Sequence, residues 1–438
     1  MADEEWNDLC LETDQCALGG SAAFFAGIPD AGVVVNGPHW CYFYALRYLE
    51  RNTMENLNER FFCSQPDSQA LVYGTEDCLK EILETVRDKP FKLLLLQNNC
   101  SVSLIGDDLA GIAGEMALPF PVITLDSGGL KGCFSAGYRL AAKAYLQSQP
   151  LPEYPVKKHA VNLLGCTLGY YNAANDLQEL TRMLNLAGYE VIACFGAGSS
   201  TEEIKELRRA ELNIVVNAEL GLESAQYLAK HYNMKYIAPL PPYGLAGSLD
   251  WLHLIAEEIG VSESGRSRVE EEFALLHKRL EKEIVELEMI WEPVWLEKTL
   301  ISAPYSTALG LAAALRREWL DTGHLAVILQ ENEAFSLYKT EEADEILTRS
   351  AKDSDRLSRL LQNFREGLIL GSSNDRLLQK DFTAVIYLNI ALPVYDEINC
   401  TDQPFMGFRG ALYLRQQIYN QYYRQKVRQL KFSYSILP

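Results

Sequence analysis

Apolar residues in this chain come in two rhythms. Short, mostly apolar runs recur along its whole length: VVV before Asn36, LLLL within Phe91 to Gln97, VITL before Asp126, then AVNLL, EVIACF, LNIVV, TLIS, LAVIL, GLILG and AVIYL. An unbroken apolar run of that length is expected of a strand buried on both faces. Between the runs lie stretches with apolar residues at helical spacing, among them EDCLKEILETVRDK behind Thr75, a helix N-cap residue, and DLQELTRMLNLAG and ESAQYLAKHYN. Alternating strands and helices predict an α/β chain whose parallel sheets are covered on both faces. One further strand is expected at Gln69 to Tyr73, stopped by Gly74.

The rhythm is interrupted twice. The Pro-rich, charged stretch QPLPEYPVKK (149–158) reads as a linker. Residues 265–299 are highly charged with apolar residues at helical spacing, which predicts a long, partly exposed connecting helix. The expected organisation is a Rossmann-like domain at 1–155, a second at 156–262, a helical connector at 263–299, and a third with a C-terminal helix at 300–438. Three similar βα units argue for a triplicated architecture.

Composition narrows the partners. Against 40 Lys and Arg stand 59 Asp and Glu, a formal net charge of −19. That argues against a nucleic-acid backbone or an anionic membrane, and suits a basic face on a protein partner. The acidic start MADEEWNDLC has no apolar signal-peptide core, and no apolar run approaches the length of a membrane span. Cysteines scattered without a framework spacing fit a reducing, cytoplasmic setting. The turn FGAGSST (195–201) has G-x-G without a third glycine, a weak dinucleotide signal, and no Walker A loop occurs anywhere.

Three of the ten cysteines stand at the starts of helices, two of them just past a strand. Cys41 follows VVVNGPHW, Cys16 precedes a small-residue helical run, and Cys100 follows LLLLQNN. Open parallel sheets place ligands beyond the carboxyl ends of their strands, so three such thiols can converge on one soft metal centre. A helix start is also expected to lower the Cys41 thiol's pKa. Cysteine is equally a common small core residue, and no C-x-x-C pair supports a zinc or ferredoxin-type site. Cys63, Cys78, Cys133, Cys166 and Cys194 read as structural.

The C-x24-C-x58-C arrangement, with Gly-Pro before the second cysteine and IGDD after the third, resembles nitrogenase component 1 and its relatives, including the tetrapyrrole reductases and methylthio-alkane reductase. The family's HGxxGC is matched by NGPHWC, with Asn36 and Trp40 replacing its histidine and second glycine. GTEDCL is similar to its GGxxxL turn, and PVYDEINCTDQPFMGFRGALYL to its PxFD…GYxGA segment, particularly in beta-type chains. The resemblance implies three Rossmann-like domains around a cleft. It implies an iron–sulfur cluster, an eight-iron P-cluster or a 4Fe-4S cubane, held by Cys16, Cys41 and Cys100 at a subunit interface. It implies as partners an ATP-dependent iron protein and a homologous component 1 chain, in a heteromer or a homodimer.

Where the family's cofactor-bearing chains have a cysteine after the domain-two strand, this chain has Asn217. The cofactor histidine of domain three has no match in EINCTDQPF, where Cys400 is expected to be a half-buried loop thiol. The resemblance is therefore to an electron-relay, beta-type subunit, or to a homodimeric tetrapyrrole reductase component. A scaffold for cofactor assembly and a redox-silent binding module remain as alternatives. His39, two residues from Cys41, is expected near the cluster or an interface rather than as a ligand.

Overall fold

A computed structural model of the chain describes residues 15–434 apart from 51, 54, 332–336, 339–340, 350–352, 378 and 380–383. Among the described residues, thirteen strands make three wholly parallel sheets. The first holds β1 (Ala31–Asn36), β2 (Phe61–Cys63), β3 (Leu93–Asn98) and β4 (Val122–Asp126) in the order β2-β1-β3-β4. The second holds β5 (Lys157–Leu164), β6 (Glu190–Phe195), β7 (Ala210–Val215) and the two-residue β8 (Tyr236–Ile237), ordered β6-β5-β7-β8. The third holds β9 (Trp295–Ala303), β10 (Asp321–Leu329), β11 (Glu345–Thr348), β12 (Glu366–Gly371) and β13 (Ala384–Asn389), ordered β11-β10-β9-β12-β13. The strand runs read from the sequence thus become parallel sheets flanked by helices.

The chain forms two compact units. Asp14–Ala174 with Glu190–Pro239 carries the first two sheets; Asn175–Tyr189 with Leu240 onward carries the third. The charged stretch before β9 is a helix, Glu263–Glu288, with only Gly265, Val269 and Ile284 buried. In that second unit the strand ends of the third sheet are filled by an ion pair, Arg349 to Asp375 at 2.5 Å, with Arg349 also donating to Ser302 Oγ at 3.0 Å.

In the first unit, the helix Ala17–Ala26 is buried along its whole length. Its small residues let a second helix, Phe134–Ser148, pack backbone to backbone. A Cβ on Gly20 would lie 1.8 Å from the Phe134 carbonyl oxygen, and one on Gly137 would lie 1.8 Å from that of Ala17. Only glycine admits that approach. Phe24 seals the base of the pair, edge-on to Tyr138 (5.3 Å) and Phe195 (4.9 Å). Each such fully buried aromatic stabilises by about 2–3 kcal/mol. The N-termini of both helices are thereby fixed side by side at the carboxyl edge of the first sheet.

The expected strand at Gln69 to Tyr73 is instead one helical turn, Ala70–Tyr73. The Asp67 carboxylate accepts the backbone N–H groups of Gln69 (2.9 Å) and Ala70 (2.8 Å), which starts the turn. The second strand of that sheet is the short Phe61–Cys63. In the third sheet the edge strand Glu345–Thr348 and the helix Ser354–Gln362 lie between β10 and β12 in the chain.

Candidate metal centre

The strand ends of the first sheet are locked by side-chain amides. Asn36 closes β1: its Nδ2 donates to Thr75 Oγ1 (2.8 Å) and Asn98 Oδ1 (3.0 Å), and its Oδ1 accepts from Ser64 Oγ (2.7 Å). Thr75 is held in turn by Asp107, its Oγ1 donating at 2.5 Å. Asn99 caps the helix Cys100–Ile105 by accepting from Val102 N at 3.0 Å. All of Asn36, Asn98 and Asn99 are buried. Buried amides satisfied on several sides hold one geometry, so the loops that leave this edge are rigid at their roots.

The three predicted thiols stand on those loops. Cys16 is the N-cap of Ala17–Ala26, Cys41 lies in the first turn of the helix His39–Glu50, and Cys100 opens Cys100–Ile105. A Cβ built on Gly129 would lie 3.3 Å from Cys100 Sγ and 3.7 Å from Cys16 Sγ, so both sulfurs flank one bare backbone position. Gly129 N–H donates to Cys100 Sγ at 2.8 Å. Asn99 Nδ2 donates to Cys41 Sγ at 3.6 Å.

Burial pushes the Cys41 thiol up from its ordinary value; the Asn99 hydrogen bond opposes this, and the nearby Cys16 and Cys100 sulfurs add to it. The expectation that a helix start would lower it is corrected: for the half-buried sulfur, desolvation is the largest influence and raises it. Among the described residues, no three His, Cys, Asp or Glu side chains meet closely enough to hold one metal ion. A polynuclear cluster makes a different demand, since each thiolate takes its own iron and the sulfurs must stand apart. Soft donors spaced around a position without a side chain, with N–H groups aimed at two sulfurs, fit such a group.

The other thiols divide. Cys63 is buried and donates to the Gly37 carbonyl at 3.2 Å; burial raises it to about 11. Cys194 is buried in β6 and raised by burial to about 12. Cys166 is buried and Cys78 half-buried. Cys133 is the N-cap of Phe134–Ser148 and is bridged, backbone to backbone, to Cys16. Cys400, expected half-buried, is exposed. His39 is exposed, its ring 5.4 Å from Tyr42. Asn217 is buried and donates to the Gly165 carbonyl at 2.8 Å.

Several large apolar side chains near the thiols in sequence are exposed. Trp40 beside Cys41 is 66% exposed, Leu104 four residues past Cys100 is 76% exposed, and Leu130 beside Gly129 is 70% exposed. Tyr73, whose helical turn packs on Cys100–Ile105, is 87% exposed. Large apolar side chains left exposed near one sheet edge point to an interaction surface.

The profile of the nitrogenase component 1 type oxidoreductases matches residues 16–423. The chain belongs to that family. As a component 1 type chain it is 27% identical over 252 residues to the nitrogenase iron-molybdenum cofactor biosynthesis protein NifE of Clostridium pasteurianum, covering 57% of this chain and 54% of that one. It is 30% identical over 181 residues to a light-independent protochlorophyllide reductase chain of Methylocella silvestris, covering 40% of this chain and 35% of the relative. The chain thus spans about half and about a third of the length of these two relatives. A solved structure titled nitrogenase Cp1 at pH 5 superposes with a TM-score of 0.74 at 19% identity, covering 94% of this chain and 88% of the other, which shows the shared fold. Among the described residues no helix is long and apolar enough to cross a membrane.

Proposed function

We propose that this chain is a component 1 type subunit that takes electrons from an ATP-dependent iron protein into an iron–sulfur cluster held by Cys16, Cys41 and Cys100, and passes them to a reductive active site. The observation that carries the reading is the arrangement of these three sulfurs on separate loops at one sheet edge, two of them flanking Gly129. The cluster, a P-cluster or a 4Fe-4S cubane, supplies one-electron storage. The chain's residues do the rest. The three thiols ligate, Asn99 and Gly129 direct N–H groups at sulfur, and the Asn36–Thr75–Asp107 network holds the loops in place. The exposed rim of Trp40, Tyr73, Leu104 and Leu130 is the face on which a homologous chain, or a second copy, covers the cluster. At residue 217 the amide is tied to backbone, so the chain anchors no large catalytic cofactor there through a thiolate.

The test is anaerobic purification with iron counting, EPR and identification of co-purifying chains. The parent should carry iron and visible absorbance, and Cys16→Ala, Cys41→Ala and Cys100→Ala should each lose both, while Cys194→Ala keeps its iron per folded chain. Equal iron in Cys41→Ala and the parent refutes the reading. A second reading, a scaffold on which a metal cofactor is assembled, is favoured by the similarity to NifE. Transfer of the bound cluster to another protein supports the scaffold; iron-protein-dependent substrate turnover supports the relay.

A further inference from the structure

The geometry points to Cys133 as a fourth thiolate for the same cluster, so that one chain can supply all four ligands of a four-iron cubane. This rests on the cluster reading above and adds to it a ligand on the loop that follows β4. Cys16 and Cys133 form an isolated antiparallel bridge. Residues opposed in such a bridge have neighbouring Cα atoms and send their side chains to the same side. The Cys133 side chain therefore projects alongside that of Cys16, whose sulfur already lies at the Gly129 position beside Cys100.

The two residues are also equivalent in conformation. Cys16 has φ −79° and ψ 179°, Cys133 φ −80° and ψ −177°, and each is the N-cap of one of the two helices that pack backbone to backbone. Neither side chain caps its helix. Serine, threonine, aspartate or asparagine would make that hydrogen bond, so both positions forgo it in carrying a thiol. The connection between them is short and fixed: Ala17 N–H donates to the Gly132 carbonyl at 3.0 Å, and Gly129, whose N–H reaches Cys100 Sγ, is four residues before Cys133.

Cys133 Sγ lies 3.4 Å from Ser135 Oγ, and Arg139 Nη1 donates to that hydroxyl at 3.1 Å. The Ser135 hydroxyl, held by Arg139, is thus fixed beside the Cys133 sulfur. On ligation the thiol gives its proton to solvent and the sulfur bonds to iron. Four thiolates, each on its own iron, complete a cubane without a ligand from another chain.

The experiment uses the full chain purified anaerobically with whatever chains accompany it, as the parent, Cys133→Ala, Cys133→Ser and Cys41→Ala. Iron and sulfide per chain, the EPR spectrum of the reduced protein and far-UV circular dichroism are recorded for each. The expected result is at least a twofold loss of iron in Cys133→Ala with the fold kept. In Cys133→Ser, where oxygen replaces sulfur on one iron, the g-values should change and the midpoint potential should shift. Parent-like iron and EPR in Cys133→Ala, with iron lost from Cys41→Ala, overturns the fourth ligand and leaves the three-thiol reading standing. Parent-like iron in both overturns both. If Cys133→Ala fails to fold, Cys133→Ser decides alone: an unchanged EPR spectrum and potential assign Cys133 to packing and overturn the proposal.

Discussion

The carboxyl edges of the first two sheets are built by the same βα rules and end in opposite ways. At the second sheet, side chains that follow β6 and β7 bond to nearby backbone. Asn217 donates to the Gly165 carbonyl, Ser199 Oγ accepts the Cys194 N–H at 2.9 Å, and Ser200 and Glu203 form a reciprocal cap on the next helix. At the first sheet, the amides Asn36, Asn98 and Asn99 tie the strand ends together just below the edge. The residues above them, Cys16 and Cys133, leave their helix caps unmade. Side chains already engaged with backbone give a closed edge; a locked base beneath donors that cap nothing gives an edge prepared for a ligand.

Glycine substitutions separate the two edges most sharply. Gly165 has φ +77°, and a Cβ there would lie 2.5 Å from the Asn217 carbonyl oxygen and 2.8 Å from Gly221 N. Gly165→Ala should therefore cost about 3 kcal/mol or more in urea unfolding. Iron per folded chain should stay at the parent level. Gly129→Val is the converse. Gly129 is partly exposed, and the nearest atoms to the added Cβ are Cys16 Cβ at 3.2 Å, Cys100 Sγ at 3.3 Å and Cys16 Sγ at 3.7 Å. Stability should fall by only about 1 kcal/mol, while iron content drops by more than half because two sulfurs are displaced. Iron loss in Gly165→Ala, or none in Gly129→Val, would break the comparison.

Much of the first edge could be read from the chain. Its β1, β3 and β4 are unbroken apolar runs, and Cys41 and Cys100 follow two of them directly. What could not be read were effects that depend on distant partners. Cys133 sits in GCFSAGY, which looks like the start of a core helix; its bridge to Cys16 joins residues 117 positions apart. A signal was present, since Cys133 also follows a strand of the same sheet. ALVY at 70–73 has strand-like composition, but Asp67 three residues earlier is the turn-starting residue that overrides it. The Cys41 thiol was judged by its helix position, and burial, which only the fold supplies, reverses the direction.

A smaller effect sharpens the closed edge. Asn217 is buried, and its Nδ2 makes the hydrogen bond that ties the end of β7 to that of β5. Asn217→Ala removes that donor and leaves the Gly165 carbonyl without it, so unfolding by urea should show a loss of about 1–2 kcal/mol. Iron and EPR should be unchanged, since nothing at this edge holds the proposed cluster. A changed EPR spectrum in this variant would mean that the second edge contributes to the metal centre.

The smallest effect tests the open edge without removing any sulfur. Asn99 does two things at once: Oδ1 accepts from Val102 N at 3.0 Å to cap the helix, and Nδ2 donates to Cys41 Sγ at 3.6 Å. Asn99→Asp keeps the shape and the cap, because either carboxylate oxygen accepts the Val102 N–H and an acid suits a helix N-terminus. It removes the donor and brings negative charge towards the sulfur. Both changes disfavour the reduced, more negative cluster, so the midpoint potential should fall. One hydrogen bond of about 1 kcal/mol corresponds to a shift on the order of 40 mV for a one-electron couple. Iron content and the urea midpoint should stay within error of the parent, and redox titration followed by EPR reads the shift. A potential that rises or does not move would show that the Asn99 amide does not act on the sulfur of Cys41.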